Sequence, residues 1–311
     1  MIFQNLEQIE QLSPETRTKL HRSYRKPPAK RKPFRSNMML NPLRLKHLNR
    51  MDDLPADMIT LNLEDAIAPS RKQEALYNIA LFLSHLSHSK SFIIVRINPL
   101  DEGGQEEIEY LNDLGFDAIR IPKVKSHEEI LEVEQCLASD KEIHISLETK
   151  EAFSQLAHWG DISPRFTTAN LGILDLLSSL GLPQSLVDLN NPTITYILSK
   201  FLIDAHTAGI HPISFMFQDY QDTTTFEAWC QLEKTMGFTT KACMGPLQVE
   251  IANRIFAPNS EDLQRAKEIK SAFERASKEG EHGFMHPEYG FIDEPIYRDA
   301  LLVLQERSPT I

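Results

Sequence analysis

The chain is poor in the residues that mark several protein classes. Its three cysteines, Cys136, Cys230 and Cys243, are far apart and odd in number. That fits separate buried thiols in a reducing cytoplasm better than a disulfide framework or a zinc site. No apolar run approaches membrane-spanning length, and the polar opening MIFQNLEQIEQ is not that of a secretory signal. Only 12 of 311 residues are glycine, and no strand-like run leads into a glycine-rich phosphate loop. This disfavours dinucleotide-binding and P-loop readings. GxSxG is absent and the histidines form no spaced ligand set, so a nucleophilic hydrolase is disfavoured too. Positive charge is in deficit: 33 Lys and Arg face 44 Asp and Glu, and the net charge of −11 argues against a general nucleic-acid binder.

What is present is a series of hydrophobic runs that each end on a charge: LNLE (Glu64), IIVR (Arg96), IRIPK (Lys123), HISLE (Glu148) and NLGILD (Asp175). The wider pattern alternates strands with helices. Candidate strands are Met38–Leu40, Asp57–Leu63, Ser91–Ile97, Asp117–Pro122, Glu142–Leu147, Phe166–Ile173, Pro212–Phe217 and Thr240–Met244. Eight such units predict a (β/α)8 TIM barrel over residues 35–257, whose strand C-termini form the active-site face. The strands read as near-continuous apolar runs, as expected when both faces are buried. Ser70, Ser126 (with Glu129) and Ser260 are expected helix caps, with Gly115 and Gly280 as terminators. Residues 1–34 form an N-terminal arm with the basic run RTKLHRSYRKPPAKRKPFR, expected as a solvated extension or as a contact to an anionic ligand or acidic subunit. Residues 258–311 form a C-terminal helical extension, a lid or subunit contact.

On the barrel face, Glu148 and Asp175 are the most informative pair. Two carboxylates on adjacent units suit Mg²⁺, with Mn²⁺ as the alternative, because such a cation keeps waters and takes further oxygens from the substrate. The plainer reading of either acid alone is a helix cap or a salt bridge. Arg96 is suited to a substrate carboxylate or enolate oxygen, or to an internal pairing with Glu64 or Asp65. Glu64 and Asp65 open the loop after the second strand, one as a metal or water contact and the other as a cap. Lys123 is either a Schiff-base nucleophile or a charge partner. With acids around it the lysine stays protonated, so the electrostatic role is expected.

The motifs in order resemble those of the HpcH/HpaI aldolase and citrate lyase beta-subunit superfamily, in its CitE-like branch. RSNMML is similar to the opening RSxLF, LNLEDAIAP to DLEDAVAP, IIVRINPLD to VRVNPLD, and IRIPKVKSHEEI to the LPKVES segment. ISLETKEAF is similar to IETARGV, LGILDLLSSLGL to GAEDLAADLGL, KACMGPLQ to KLAIHPSQ, and GFIDEPIYRDALLVL to a tail motif GxMIDxPVVxxAxxLL. The resemblance implies a barrel, usually trimeric or hexameric, and Mg²⁺-dependent carbon–carbon bond cleavage or condensation through an enolate. The implied substrates are citryl-, malyl- or citramalyl-thioesters, so the substrate carries coenzyme A or another carrier. It places Glu148 and Asp175 on the metal ligands, Arg96 on the substrate-binding arginine, and Glu64 and Asp65 on a supporting acidic pair. It places Asp293 on a tail aspartate that reaches a neighbouring subunit's site. The chain departs from the pattern at Asn62, at Ile173 and Leu174, at Lys150–Ala152 and at Gly245. Those departures keep two further readings open: a barrel that binds a metabolite without turnover, and an aldolase on free 2-oxo acids.

Overall fold

The computed structural model describes residues 1–22, 25–29 and 33–304. Eight parallel strands, β1 (Ser36–Leu40), β2 (Met58–Asn62), β3 (Phe92–Arg96), β4 (Ala118–Ile121), β5 (Glu142–Leu147), β6 (Phe166–Leu171), β7 (His211–Ile213) and β8 (Lys241–Cys243), lie side by side in the order β7-β6-β5-β4-β3-β2-β1-β8. Ser214, just beyond β7, bridges Lys241. Its N–H donates to the Thr240 carbonyl at 3.0 Å and its carbonyl accepts from Ala242 at 3.1 Å. That bridge brings the two edges together, and with helices between the strands the sheet is the expected TIM-barrel arrangement.

The strand period of two divides each apolar run into two different faces. Ile59, Leu61, Val95, Ile119, Ile121, Ile145, Leu147 and Leu171 belong to the large core between strands and helices. The alternate residues point into the lumen. At its base Phe34, Met58, Phe92, Ile94, Ala118, Ile213 and Ala242 form a separate apolar plug. Above the plug the lumen is polar: Thr60, Asn62, Arg96, Arg120, His144, Ser146 and Asn170 are all buried. Continuity of the runs therefore conceals a polar interior.

Several helix boundaries differ from expectation. Ser70 lies in a tight turn, Pro69–Arg71, and the helix starts at Lys72. At Ser126 only the glutamate half of the capping box forms, Glu129 accepting from the N–H groups of Lys125 and Ser126 at 2.7 and 3.1 Å. Asn259, not Ser260, caps the helix Ser260–Lys278. Gly115 does not terminate a helix. A Cβ there would stand 2.4 Å from the Lys26 backbone nitrogen, so glycine lets the arm approach.

Within the basic run, Arg17 and Lys26 are buried. Arg17 donates to Asn78 at 2.9 Å and Lys26 to both oxygens of Asp117 at 2.9 and 3.1 Å. Ser23, Tyr24 and residues 30–32 of that run lie outside the described residues, as do residues 305–307 at the end of the expected last helix.

The chain divides into two compact units, Met1–Phe256 and Ala257–Ile311. In the second, the helices Ser260–Lys278 and Glu294–Leu304 flank a hairpin of β9 (Gly283–His286) and β10 (Gly290–Asp293). Its own small core includes Ile269, Phe273, Ile292 and Tyr297. Among the described residues no helix is long and apolar enough to cross a membrane.

Candidate active site

Five of the charged residues singled out in the sequence converge at the C-terminal ends of β2 to β5. Arg96, the last residue of β3, points into the lumen, and one of its terminal nitrogens lies 2.9 Å from Glu64 and 2.8 Å from Glu148. Glu64, in the loop after β2, also receives the Lys123 ammonium at 2.7 Å, and Asp65 lies 3.4 Å from the same nitrogen. The second Glu148 oxygen accepts from the Lys123 backbone N–H at 3.2 Å. That N–H is aimed by an unusual turn: Lys123 has φ +52°, a left-handed conformation that costs a side-chain-bearing residue roughly 1 kcal/mol. Such strain persists where the surroundings fix it, and here a buried carboxylate does so.

Gly172, immediately after β6, explains why Glu148 fits. A Cβ at that position would stand 2.3 Å from the Glu148 Cγ and 2.8 Å from one of its oxygens. The chain turns at this glycine, and the next helix, Ile173–Ser179, begins at once, so Asp175 sits in its first turn rather than on the strand end. Ile173 is buried in the strand–helix core and Leu174 packs against it. Those two departures from the family pattern are therefore taken up in packing.

Lys123, Glu148, Thr149, Asp175 and Ser179 line one wall of a cavity of about 700 Å³. Its outer part carries further acids, among them Asp101, Glu102 and Glu129. Burial raises the Asp175 pKa, and the negative charges of Glu148 and Asp65 raise it further. Burial pushes Glu64 up as well, partly offset by Arg96 and Lys123. Burial works against the Lys123 charge, but the hydrogen bond and charge of Glu64, with Asp65, outweigh it and hold the ammonium above its ordinary value. Lys123 is thus a standing cation and not a neutral amine nucleophile.

These residues meet the requirements of a hard cation. Two carboxylates share one cavity, where burial and the charge of Glu148 raise the proton affinity of Asp175. No group of three or more histidine, cysteine, aspartate or glutamate side chains poised for a metal occurs among the described residues. A cation at Glu148 and Asp175 would therefore complete its shell with water and ligand oxygens, as Mg²⁺ does.

Asp293 lies in the second unit. It ends β10, and its carboxylate accepts from the Ile296 N–H at 3.2 Å, capping the helix that follows. The sequence reading overlooked Arg120, Asn37 and Asn170. Arg120 is fully buried in the lumen and donates to Asn170 at 3.2 Å; Asn170 also accepts from Asn37 at 3.4 Å. Burial, with Arg96 beside it, lowers the Arg120 pKa to about 9, which leaves it charged at neutral pH. The signal was available, because an arginine in the middle of a buried strand run demands a polar surrounding.

An eight-stranded parallel barrel with opposed carboxylates and an ion-paired arginine at the strand C-termini defines a small-molecule site of the barrel-enzyme type. The sequence profile of the HpcH/HpaI aldolase/citrate lyase family matches residues 37–246, and the chain belongs to that family. A (3S)-malyl-CoA thioesterase of Cereibacter sphaeroides is 30% identical over 250 residues, 80% of this chain and 86% of the relative. An L-malyl-CoA/beta-methylmalyl-CoA lyase of the same species is 28% identical over 283 residues, 82% of this chain and 89% of the relative. Among solved structures, the CitE protein of Mycobacterium tuberculosis in complex with magnesium, acetoacetate and coenzyme A superposes with a TM-score of 0.67 at 19% identity, covering 87% of this chain and 96% of that one.

Proposed function

We propose that this protein is a Mg²⁺-dependent carbon–carbon lyase acting on a malyl-, citramalyl- or citryl-type thioester. The observation that carries the proposal is the Glu148 carboxylate, lodged against Gly172, tied to Arg96 and sharing a cavity with Asp175. Relatives named as a malyl-CoA lyase and a malyl-CoA thioesterase supply the substrate class. In the cleavage direction the hydroxyl next to the scissile bond loses its proton, and the carbon–carbon bond breaks to give an oxo acid. The electron pair passes to the thioester enolate, which then takes up a proton. Held by Glu148 and Asp175, Mg²⁺ would supply Lewis acidity to the substrate oxygens and to the enolate charge.

The chain's own residues do the rest. Glu64 and Glu148 share one terminal nitrogen of Arg96, which fixes the guanidinium and leaves its other donors for a carboxylate or carbonyl oxygen. Lys123, protonated and anchored by Glu64 and Asp65, adds fixed positive charge at the cavity wall. Glu64, buried beneath both cations, is a positioning group, and Asp65 a second anchor nearer solvent. Proton transfer is assigned to Asp293 on its motif alone, acting from a neighbouring copy in a homo-trimer or hexamer. The three separate thiols suit a cytoplasmic setting.

One observation favours a second reading. A relative of 30% identity carries the name of a thioesterase, so hydrolysis of the same thioester is the competing outcome. Glu148→Gln and Asp175→Asn test the metal assignment. Each should weaken Mg²⁺ binding in calorimetry by at least about ten-fold, the loss of roughly 1.4 kcal/mol or more, and abolish cleavage. Unchanged Mg²⁺ affinity in both variants would remove the metal from these two residues.

A further inference from the structure

Arg120 takes no part in the ion pairs of the site, yet it is a charge buried inside the barrel. It is 3% exposed, stands in register beside Arg96 on the neighbouring strand, and faces the lumen above the apolar plug. It donates to an amide oxygen, that of Asn170, and its Nε is buried without a hydrogen-bond partner among the described residues. A buried guanidinium without a carboxylate is costly, and two like charges on adjacent strands raise that cost. The charges that compensate it are those of Glu148 and Glu64, which act on it through space. Packing alone gives no reason for such a residue, since Ala118 and Ile94 fill the lumen layer below with apolar groups.

The reason lies in the charge of the pocket. Arg96, Arg120 and Lys123 face Glu64, Asp65, Glu148 and Asp175, so three cations oppose four carboxylates. Around the two carboxylates the count is net negative by one charge, and the other charged residues of the cavity, Asp101, Glu102, Glu129 and Glu132 against Lys125, make it more negative. Arg120 is one of three cations that offset this charge, so losing it makes the site more attractive to a cation and less attractive to an anion. We propose that Arg120 is a specificity-determining residue that weakens the pocket's hold on a divalent cation alone and makes the cation-loaded pocket selective for a ligand carrying a carboxylate. This rests on the metal reading given above and adds to it the class of ligand and the order of binding, cation first and anion second.

Opposite shifts in two affinities distinguish this role from a structural one. Mg²⁺ is titrated into wild type, Arg120→Leu, Arg120→Lys and Asn170→Asp, and pyruvate is then titrated into each protein saturated with Mg²⁺. Asn170→Asp is close to isosteric and neutralises the guanidinium without removing it, so it decides the matter if Arg120→Leu fails to fold. Both neutralising variants should bind Mg²⁺ roughly ten-fold tighter and pyruvate roughly ten-fold more weakly, opposite directions being what the loss of one positive charge beside the site requires. Arg120→Lys should remain close to wild type for both ligands. If both affinities fall together, or neither moves, Arg120 is a packing residue and the proposal is wrong. Absence of Mg²⁺ binding by wild type would instead overturn the metal reading itself.

Discussion

At the residue scale the position of one carboxylate depends on a missing methyl group. Gly172 allows the backbone after β6 to pass against Glu148, where any Cβ would meet Cγ at 2.3 Å. Real Cβ atoms do not approach so closely, so Gly172→Ala must displace the Glu148 side chain, which carries the bonds to Arg96 and to the Lys123 N–H. We expect the variant to fold and its Mg²⁺ affinity to fall at least ten-fold, about 1.4 kcal/mol, in calorimetry. An unchanged dissociation constant would mean that Glu148 does not hold the cation from this position. By contrast Gly245, which stands where the family pattern has a histidine, has open space around its Cβ, so nothing in the backbone prevents a side chain there. The sequence showed both glycines; only coordinates separate the one required by contact from the one that is not.

At the scale of elements, strands were legible and their faces were not. Eight apolar runs sufficed to predict eight strands, because buried parallel strands carry branched and apolar residues on the helix-facing side. The polar lumen was hidden because a single polar residue within a run, such as Thr60 or Ser146, looks like tolerance when read one run at a time. Only the register, which sets Asn62, Arg96, Arg120, His144 and Thr168 side by side, reveals a layer. Caps were misread by one or two positions at Ser70 and Ser260, where a preceding Pro69 turn and a neighbouring Asn259 compete for the same role. The N-terminal segment illustrates a different limit: a basic run does not reveal which of its charges face inward. Lys26 is buried on Asp117, whose carboxylate also accepts from the N–H groups of Ala29 and Ile93. Removing one partner of a buried pair leaves an uncompensated charge, so Lys26→Ala should destabilise the protein by about 3 kcal/mol or more in urea denaturation. A loss near zero, typical of exposed pairs, would mean that the arm is solvated after all.

For the whole molecule, fold and chemistry come from different evidence. The barrel follows from strand order and closure, and many unrelated reactions use that architecture. The reaction class follows from family membership together with a pocket where Glu148 and Asp175 share one cavity and Arg96 is ion-paired at its edge. The sequence motifs placed Glu64, Arg96, Lys123, Glu148 and Asp175 in one pocket, and the coordinates bring those five together. Asp293, which the motifs assign to a neighbouring subunit's site, belongs to the second compact unit. The central claim is that this pocket breaks a carbon–carbon bond with a divalent cation in place. Its most direct test offers malyl-, citramalyl- and citryl-CoA in turn, with Mg²⁺ and with chelator, and quantifies every product by mass spectrometry. The account predicts that at least one thioester yields an oxo acid and a shorter acyl-CoA in equal amounts, only with the metal and not with Glu148→Gln. Release of the intact hydroxy acid and free coenzyme A, or no turnover of any thioester by a protein that binds Mg²⁺, would contradict it.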